Sequence, residues 1–134
     1  MVSSTVLPIA QLTPPADSHN DARTIRGVVT LIWPYSSATD TLALLLAEPD
    51  PRLRRRKGQV RIRLKGSCAK AVGSRVADSE NGIAIGKELQ ILLKGAEWVG
   101  EDTIAVRTPG RSVDWELLFE SEIHAEVSAR ELKF

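Results

Sequence analysis

Gln59-Val60-Arg61-Ile62-Arg63-Leu64-Lys65 is the stretch that decides how this chain is read. Val60, Ile62 and Leu64 alternate with Gln59, Arg61, Arg63 and Lys65, and a period of two marks a strand with one face in a core. The other face carries three cations. Side chains on one face of a strand repeat roughly every 7 Å, so these charges cannot splay far apart, and like charges held together are costly unless an anion is close. The stretch therefore predicts a strand and an anionic partner.

The charge extends outward from it. Residues 51–77 hold ten basic side chains (Arg52, Arg54, Arg55, Arg56, Lys57, Arg61, Arg63, Lys65, Lys70, Arg75) and no acid, while the whole chain is only +1. The remainder thus carries a net −9, a split that points to one positive surface on a molecule that elsewhere repels polyanions.

Upstream, Thr41 to Ala47 carries Leu42, Leu44, Leu45 and Leu46 and stops at Pro49-Asp50-Pro51, which predicts a second strand. Before it, Arg23 to Trp33 is dense in Ile, Val and Thr and is closed by Pro34, with Ser36, Ser37 and Asp40 supplying a turn. Residues 1–22, with Pro8, Pro14 and Pro15 among Asp17, Ser18, Asn20 and Asp21, form an extended lead-in. Downstream the period changes. Ala69, Val72 and Val76 behind a Ser67 N-cap predict a short helix over Ser67 to Val76, weakened by Gly73. After the Asn81-Gly82 turn, Glu88 to Val99 is expected as one strand, with Leu89, Ile91 and Leu93 on one side and Gln90, Lys94 and Trp98 on the other. The last strand falls in two pieces, Thr103 to Arg107 and Val113 to Phe119. In the second, Val113, Trp115, Leu117 and Phe119 alternate with Asp114, Glu116 and Glu120.

Three strands, a helix and two strands is the element order of the OB-fold, a five-stranded barrel that takes ligands on strands two and three and their flanking loops. A generic α+β domain shares that order, but here the cations fall where the OB-fold places its ligand. The expectation is an all-β domain over residues 23–121, after the lead-in 1–22 and before a segment, 122–134, that fits either strand or helix.

Other classes recede. At 43% hydrophobic and 26% charged residues the composition is that of an ordinary folded protein. No apolar run approaches a membrane span and the N-terminus lacks the layout of a secretory signal, so an intracellular protein without a membrane partner is expected. Cys68, expected to be buried in the helix, is the single cysteine, which removes an internal disulfide and a thiolate zinc site. His19 lies in the lead-in and His124 in the acidic tail, so neither has a convincing nucleophile or base partner, and neither a P-loop nor a dinucleotide fingerprint is present. No enzyme, catalytic residue, metal or cofactor is expected.

The candidate binding residues fall into three groups. Arg61, Arg63 and Lys65 form an ordered strand face. Arg52, Arg54, Arg55, Arg56 and Lys57 lie in the preceding loop, whose plainer reading is a solvated loop or a nuclear import signal. Trp33, Tyr35 and Trp98 are the aromatics available for stacking, each worth roughly 1–3 kcal/mol under a base. For each of the three, ordinary packing is the alternative. Lys94 shares the expected strand face of Trp98. Trp115 keeps register with Leu117 and Phe119 and belongs to the core.

Three segments look familiar together: Val6-Leu7-Pro8-Ile9-Ala10-Gln11-Leu12, then Ile25-Arg26-Gly27-Val28-Val29 ending in Trp33-Pro34, then Val113-Asp114-Trp115-Glu116-Leu117-Leu118-Phe119. In order and spacing, over residues 6–119, they resemble the telomere end-binding, protection-of-telomeres type of OB domain. The resemblance implies a eukaryotic nuclear protein that binds the G-rich single-stranded DNA overhang at chromosome ends, with other telomere proteins as partners. Trp98 falls where that family has a base-stacking aromatic. Around Arg63 and Leu64 the family tends to offer an aromatic, and near Leu92 a basic residue; this chain has neither. The family often carries tandem OB domains, so the resemblance leaves room for a longer parent protein. Two alternatives remain: sequence-tolerant binding of any single strand, DNA or RNA, and a protein-interaction module that docks a partner through its acidic face or through Asp114 to Phe134, with Leu118 and Ile123 expected to be exposed.

Overall fold

The computed structural model describes residues 6–7, 9, 21–49, 58–76, 83–100, 115–120, 122–127 and 130–133. Nine strands and one helix occur among them: β1 (Val6–Leu7), β2 (Thr24–Ser36), β3 (Thr41–Ala47), β4 (Gln59–Lys65), α1 (Ser67–Val76), β5 (Glu88–Leu92), β6 (Glu97–Val99), β7 (Glu116–Glu120), β8 (His124–Val127) and β9 (Arg130–Lys133). The class is mostly β, as the alternation and the turn residues predict.

All nine strands belong to one mixed sheet in the order β6-β7-β4-β3-β2-β5-β8-β9, with β1 paired to β2. β1–β2 and β4–β7 are parallel and the other pairs antiparallel. The sheet curls into a half-barrel, and the long strand β2 shows how. Its first residues pair with β5, from Thr24↔Leu92 to Val28↔Glu88, and its later ones with β3, from Val28↔Ala47 to Ser36↔Thr41. The β3 ladder breaks register twice, between Val29 and Leu31 and between Trp33 and Ser36. Such bulges bend a strand and increase its twist.

Five strands were expected and more are found, for three reasons. The run Glu88 to Val99 is not one strand: it breaks at a turn where Gly95 takes φ 82° and Ala96 N–H donates to Leu93 O at 3.1 Å. Its halves then serve different neighbours, β5 against β2 and β6 against β7, so this short turn brings the two arms of the curled sheet together. Val6 and Leu7 of the lead-in add a parallel strand beside Thr24 and Ile25. Within the segment 122–134, open between strand and helix in sequence, β8 and β9 pair antiparallel with each other and β8 pairs with β5. Strand β2 also runs through Pro34 rather than stopping there, because the second bulge leaves the proline outside the ladder, where its missing N–H costs nothing.

The core lies between the concave side of the sheet and α1. Val60, Ile62 and Leu64 face it, as their alternation requires, with Leu42, Leu44 and Leu46 from β3 and Leu117 and Phe119 from β7. Helix α1 presents Cys68, Ala69 and Val72 to it, all at most 1% exposed. The helix cap differs by one residue from expectation: Lys70 N–H donates to Gly66 O at 3.3 Å, so the flanking residue is Gly66, in the left-handed region at φ 81°, and Ser67 is the first helical residue.

Candidate nucleic-acid interface

The convex side of the sheet is built from rows of cross-strand partners. One row runs Leu31↔Leu45↔Arg61↔Glu116 and the next Trp33↔Ala43↔Arg63↔Leu118. Strand β3 is buried on both faces, which explains why its leucines run on without alternating. On the convex side Leu45 is fully buried under Leu31 and Trp33. Ala43 is small and stands between two long side chains, and a groove of about 230 Å³ opens there. Trp33, Ala43, Arg61 and Arg63 line it, with Pro34, Ser36 and Thr41 at its end.

The two arginines are held differently. The Arg61 guanidinium lies 4.4 Å from the centre of the Trp33 ring, a cation–π contact, and its Nε is 3.2 Å from Oε2 of Glu116. The side chains of this pair are 9% and 0% exposed. Arg63 reaches the same carboxylate more loosely, with Nη1 3.5 Å from Oε1, and stays 27% exposed in the groove. The anion that the crowded cations of β4 require is therefore supplied by the chain itself. Sequence reasoning placed Glu116 on the side of its strand opposite the core, but only the parallel β4–β7 pairing carries it across to Arg61.

The remaining expected contacts are dispersed. Tyr35 lies two residues after Trp33 and would share its face in a regular strand. The bulge at Pro34 turns it instead to the core side, where it packs beneath α1 and donates its hydroxyl to Asp40 Oδ1 at 2.6 Å. That bond, with burial and the Asp40 charge adding to it, raises the phenol pKa above its ordinary value. Lys65 is exposed at the end of β4, in a row with Thr41 and Glu120. Lys94 is exposed in the β5–β6 turn beside a pocket of about 340 Å³ that it shares with Glu120, Glu122 and His124, and it does not line the groove of Arg61 and Arg63. His124 Nε2 is 2.7 Å from Glu122 Oε1. Trp98 packs against the core with its ring edge to face on Trp115, centroids 5.5 Å apart, and Arg23 lies 5.8 Å over it. Asp21 anchors that arginine. Burial alone would raise its carboxyl pKa, but the side-chain and backbone hydrogen bonds from Arg23 and its charge outweigh burial and lower it. Arg52, Arg54, Arg55, Arg56 and Lys57 lie outside the described residues. Ile123 is 4% exposed and belongs to the core cluster, which corrects its expected place on an open docking face.

The described residues thus form a curled, mostly β domain with one helix and a small aromatic and cationic groove on its convex face. The chain belongs to a family described as a domain of unknown function, DUF8502, whose model matches residues 3–133. No curated protein matches it.

Proposed function

We propose that this domain is an OB-type barrel that binds single-stranded DNA across the convex face of β2, β3 and β4. The observation that carries the reading is the groove in which Trp33, Arg61 and Arg63 meet over Ala43. An aromatic plane beside guanidinium groups is the chemistry that takes an unpaired base and its phosphate. Three further features support it. Strands β2, β3 and β4 meander, α1 follows, β4 pairs in parallel with β7, and the two-part segment β5–β6 bridges β2 and β7. The groove lies on the strands where an OB barrel takes its ligand. The sequence stretch 51–77, to which Arg61 and Arg63 belong, carries ten cations and no acid. The resemblance to telomere end-binding domains narrows the proposal to the G-rich overhang, and hence to a nuclear protein at chromosome ends.

Fluorescence anisotropy of a labelled G-rich oligonucleotide across a salt series tests this. Affinity should fall with salt by about 0.7 in the log–log slope for each phosphate neutralised, and Trp33→Leu should cost roughly 1–3 kcal/mol of binding. Affinity indifferent to both would refute the reading. Equal competition by oligo-dT would keep single-strand binding and remove the telomeric preference. Charge reversal at Arg61 is a poor probe, because removing one partner of a buried ion pair costs about 3–5 kcal/mol of folding stability. A protein-interaction module is the second reading, favoured by β9, which ends the sheet and offers a strand edge to a partner. Capture of a protein that survives nuclease treatment, with no DNA affinity, would decide for it.

A further inference from the structure

Two arginines on one strand, both facing one groove and both near one carboxylate, invite assignment to the same task. Their surroundings separate them. Arg61 is almost enclosed: its guanidinium lies against Trp33 and its Nε against a carboxylate with no exposure at all. Moving it to a ligand would strip a buried anion of its close cation. Arg63 is three times as exposed in its side chain, lines the same groove, and is 3.5 Å from Glu116 rather than 3.2 Å. A guanidinium has five donors, so a distant contact with one carboxylate oxygen leaves it able to turn toward another oxyanion.

We propose that Arg63 is the exchangeable cation of the groove, resting on Glu116 in the free protein and passing to a backbone phosphate when the strand binds. Arg61 is the fixed brace that holds Trp33 in place and keeps Glu116 neutralised after Arg63 has left. Glu116 is then an internal competitor for the phosphate and sets how tightly the groove holds its strand. This rests on single-strand binding at the groove and adds the division of roles.

The test is binding of the labelled G-rich oligonucleotide at several salt concentrations, with a parallel set of the same oligonucleotide each carrying one uncharged methylphosphonate linkage. Arg63→Gln should keep the wild-type melting temperature within a few degrees and reduce the log–log salt slope by about 0.7, the loss of one phosphate contact. The wild type should be weakened by a methylphosphonate at one linkage that Arg63→Gln no longer senses. Glu116→Gln, measured where circular dichroism shows it folded, should bind several-fold tighter, and the gain should vanish in the double variant with Arg63→Gln. An Arg63→Gln slope equal to the wild type, or a Glu116→Gln gain that persists without Arg63, overturns the exchange while leaving single-strand binding intact. If Glu116→Gln does not fold, the methylphosphonate comparison decides alone. Absence of any wild-type binding at low salt overturns the exchange and the proposed function together.

Discussion

Gly27 stands where β2 passes close to its surroundings. A Cβ there would sit 2.8 Å from Ile9 Cδ1, 2.9 Å from the Ala47 carbonyl oxygen and 3.2 Å from Leu46 Cβ. The first neighbour is the tip of a flexible side chain and can yield; the Ala47 oxygen belongs to β3 and can move only with the strand. Gly27→Ala should therefore destabilise the protein by roughly 1–3 kcal/mol, the usual cost of overpacking. A urea melt should show a lower midpoint with an unchanged slope; an unchanged midpoint would mean that β2 and β3 separate freely here. Tyr35 offers a cleaner measurement, because it is the only tyrosine. Its hydroxyl proton is held by Asp40, so its folded pKa lies above the free value of about 10. Raised above the unfolded value, it lends stability that is complete below about pH 10 and is lost as pH rises through the folded pKa. Ultraviolet titration of the phenolate should give a midpoint above 10 in the wild type, moving back toward 10 in Asp40→Asn. The replacement tolerates the left-handed φ of 55° at this turn position. Identical midpoints in the two proteins would exclude the bond in solution.

At the scale of the element, α1 shows why a sequence can look weaker than the structure it makes. Gly73 breaks good helix chemistry, since a glycine inside a helix costs about 1 kcal/mol against alanine. In the fold its missing Cβ is what lets the helix lie on β2, because a Cβ would meet Tyr35 Cβ at 2.8 Å. Tyr35 cannot retreat easily while Asp40 holds its hydroxyl. Gly73→Ala should thus fail to deliver the helix-propensity gain and should lower stability by about 1–2 kcal/mol in a thermal or urea melt; a gain near 1 kcal/mol would show the contact to be soft. The same distinction governs what was legible beforehand. Period-two alternation fixed β4 and its core face, and the change of period fixed α1, because both signals lie within ten consecutive residues. The break between β5 and β6 was signalled by Gly95, but apolar residues on either side read through it. Whether Trp33 and Tyr35 share a face depended on a bulge, which shifts parity without leaving a mark beyond Pro34. The pairing of Arg61 with Glu116 joins residues far apart in sequence and could not be read without the parallel register.

At the scale of the whole molecule, charge is divided between a place and a field. The groove holds two arginines whose positions are fixed by cross-strand rows and by one internal carboxylate. The segment from Arg52 to Lys57 adds five cations between β3 and β4, within a region of ten, on a chain whose remainder is net acidic. Such a distribution acts at long range: it raises the rate of encounter with a polyanion and is screened beyond about 10 Å at 0.1 M salt. Contacts inside a groove act after encounter and govern how long a complex lasts. On the proposed single-strand reading, the two should separate kinetically. Replacing Arg52, Arg54, Arg55, Arg56 and Lys57 with Gln should slow association by about tenfold or more at low salt, within the 10–10³-fold range of electrostatic steering. It should leave dissociation little changed, and the difference from wild type should shrink as salt rises. Trp33→Leu should do the opposite, leaving association near wild type and speeding dissociation by roughly 5- to 150-fold, the equivalent of 1–3 kcal/mol. Stopped-flow fluorescence with a labelled oligonucleotide resolves both rates. If this variant altered only dissociation, these five residues would be contacts of the bound strand rather than a steering field, and the interface would have to extend from the groove to the segment 52–57.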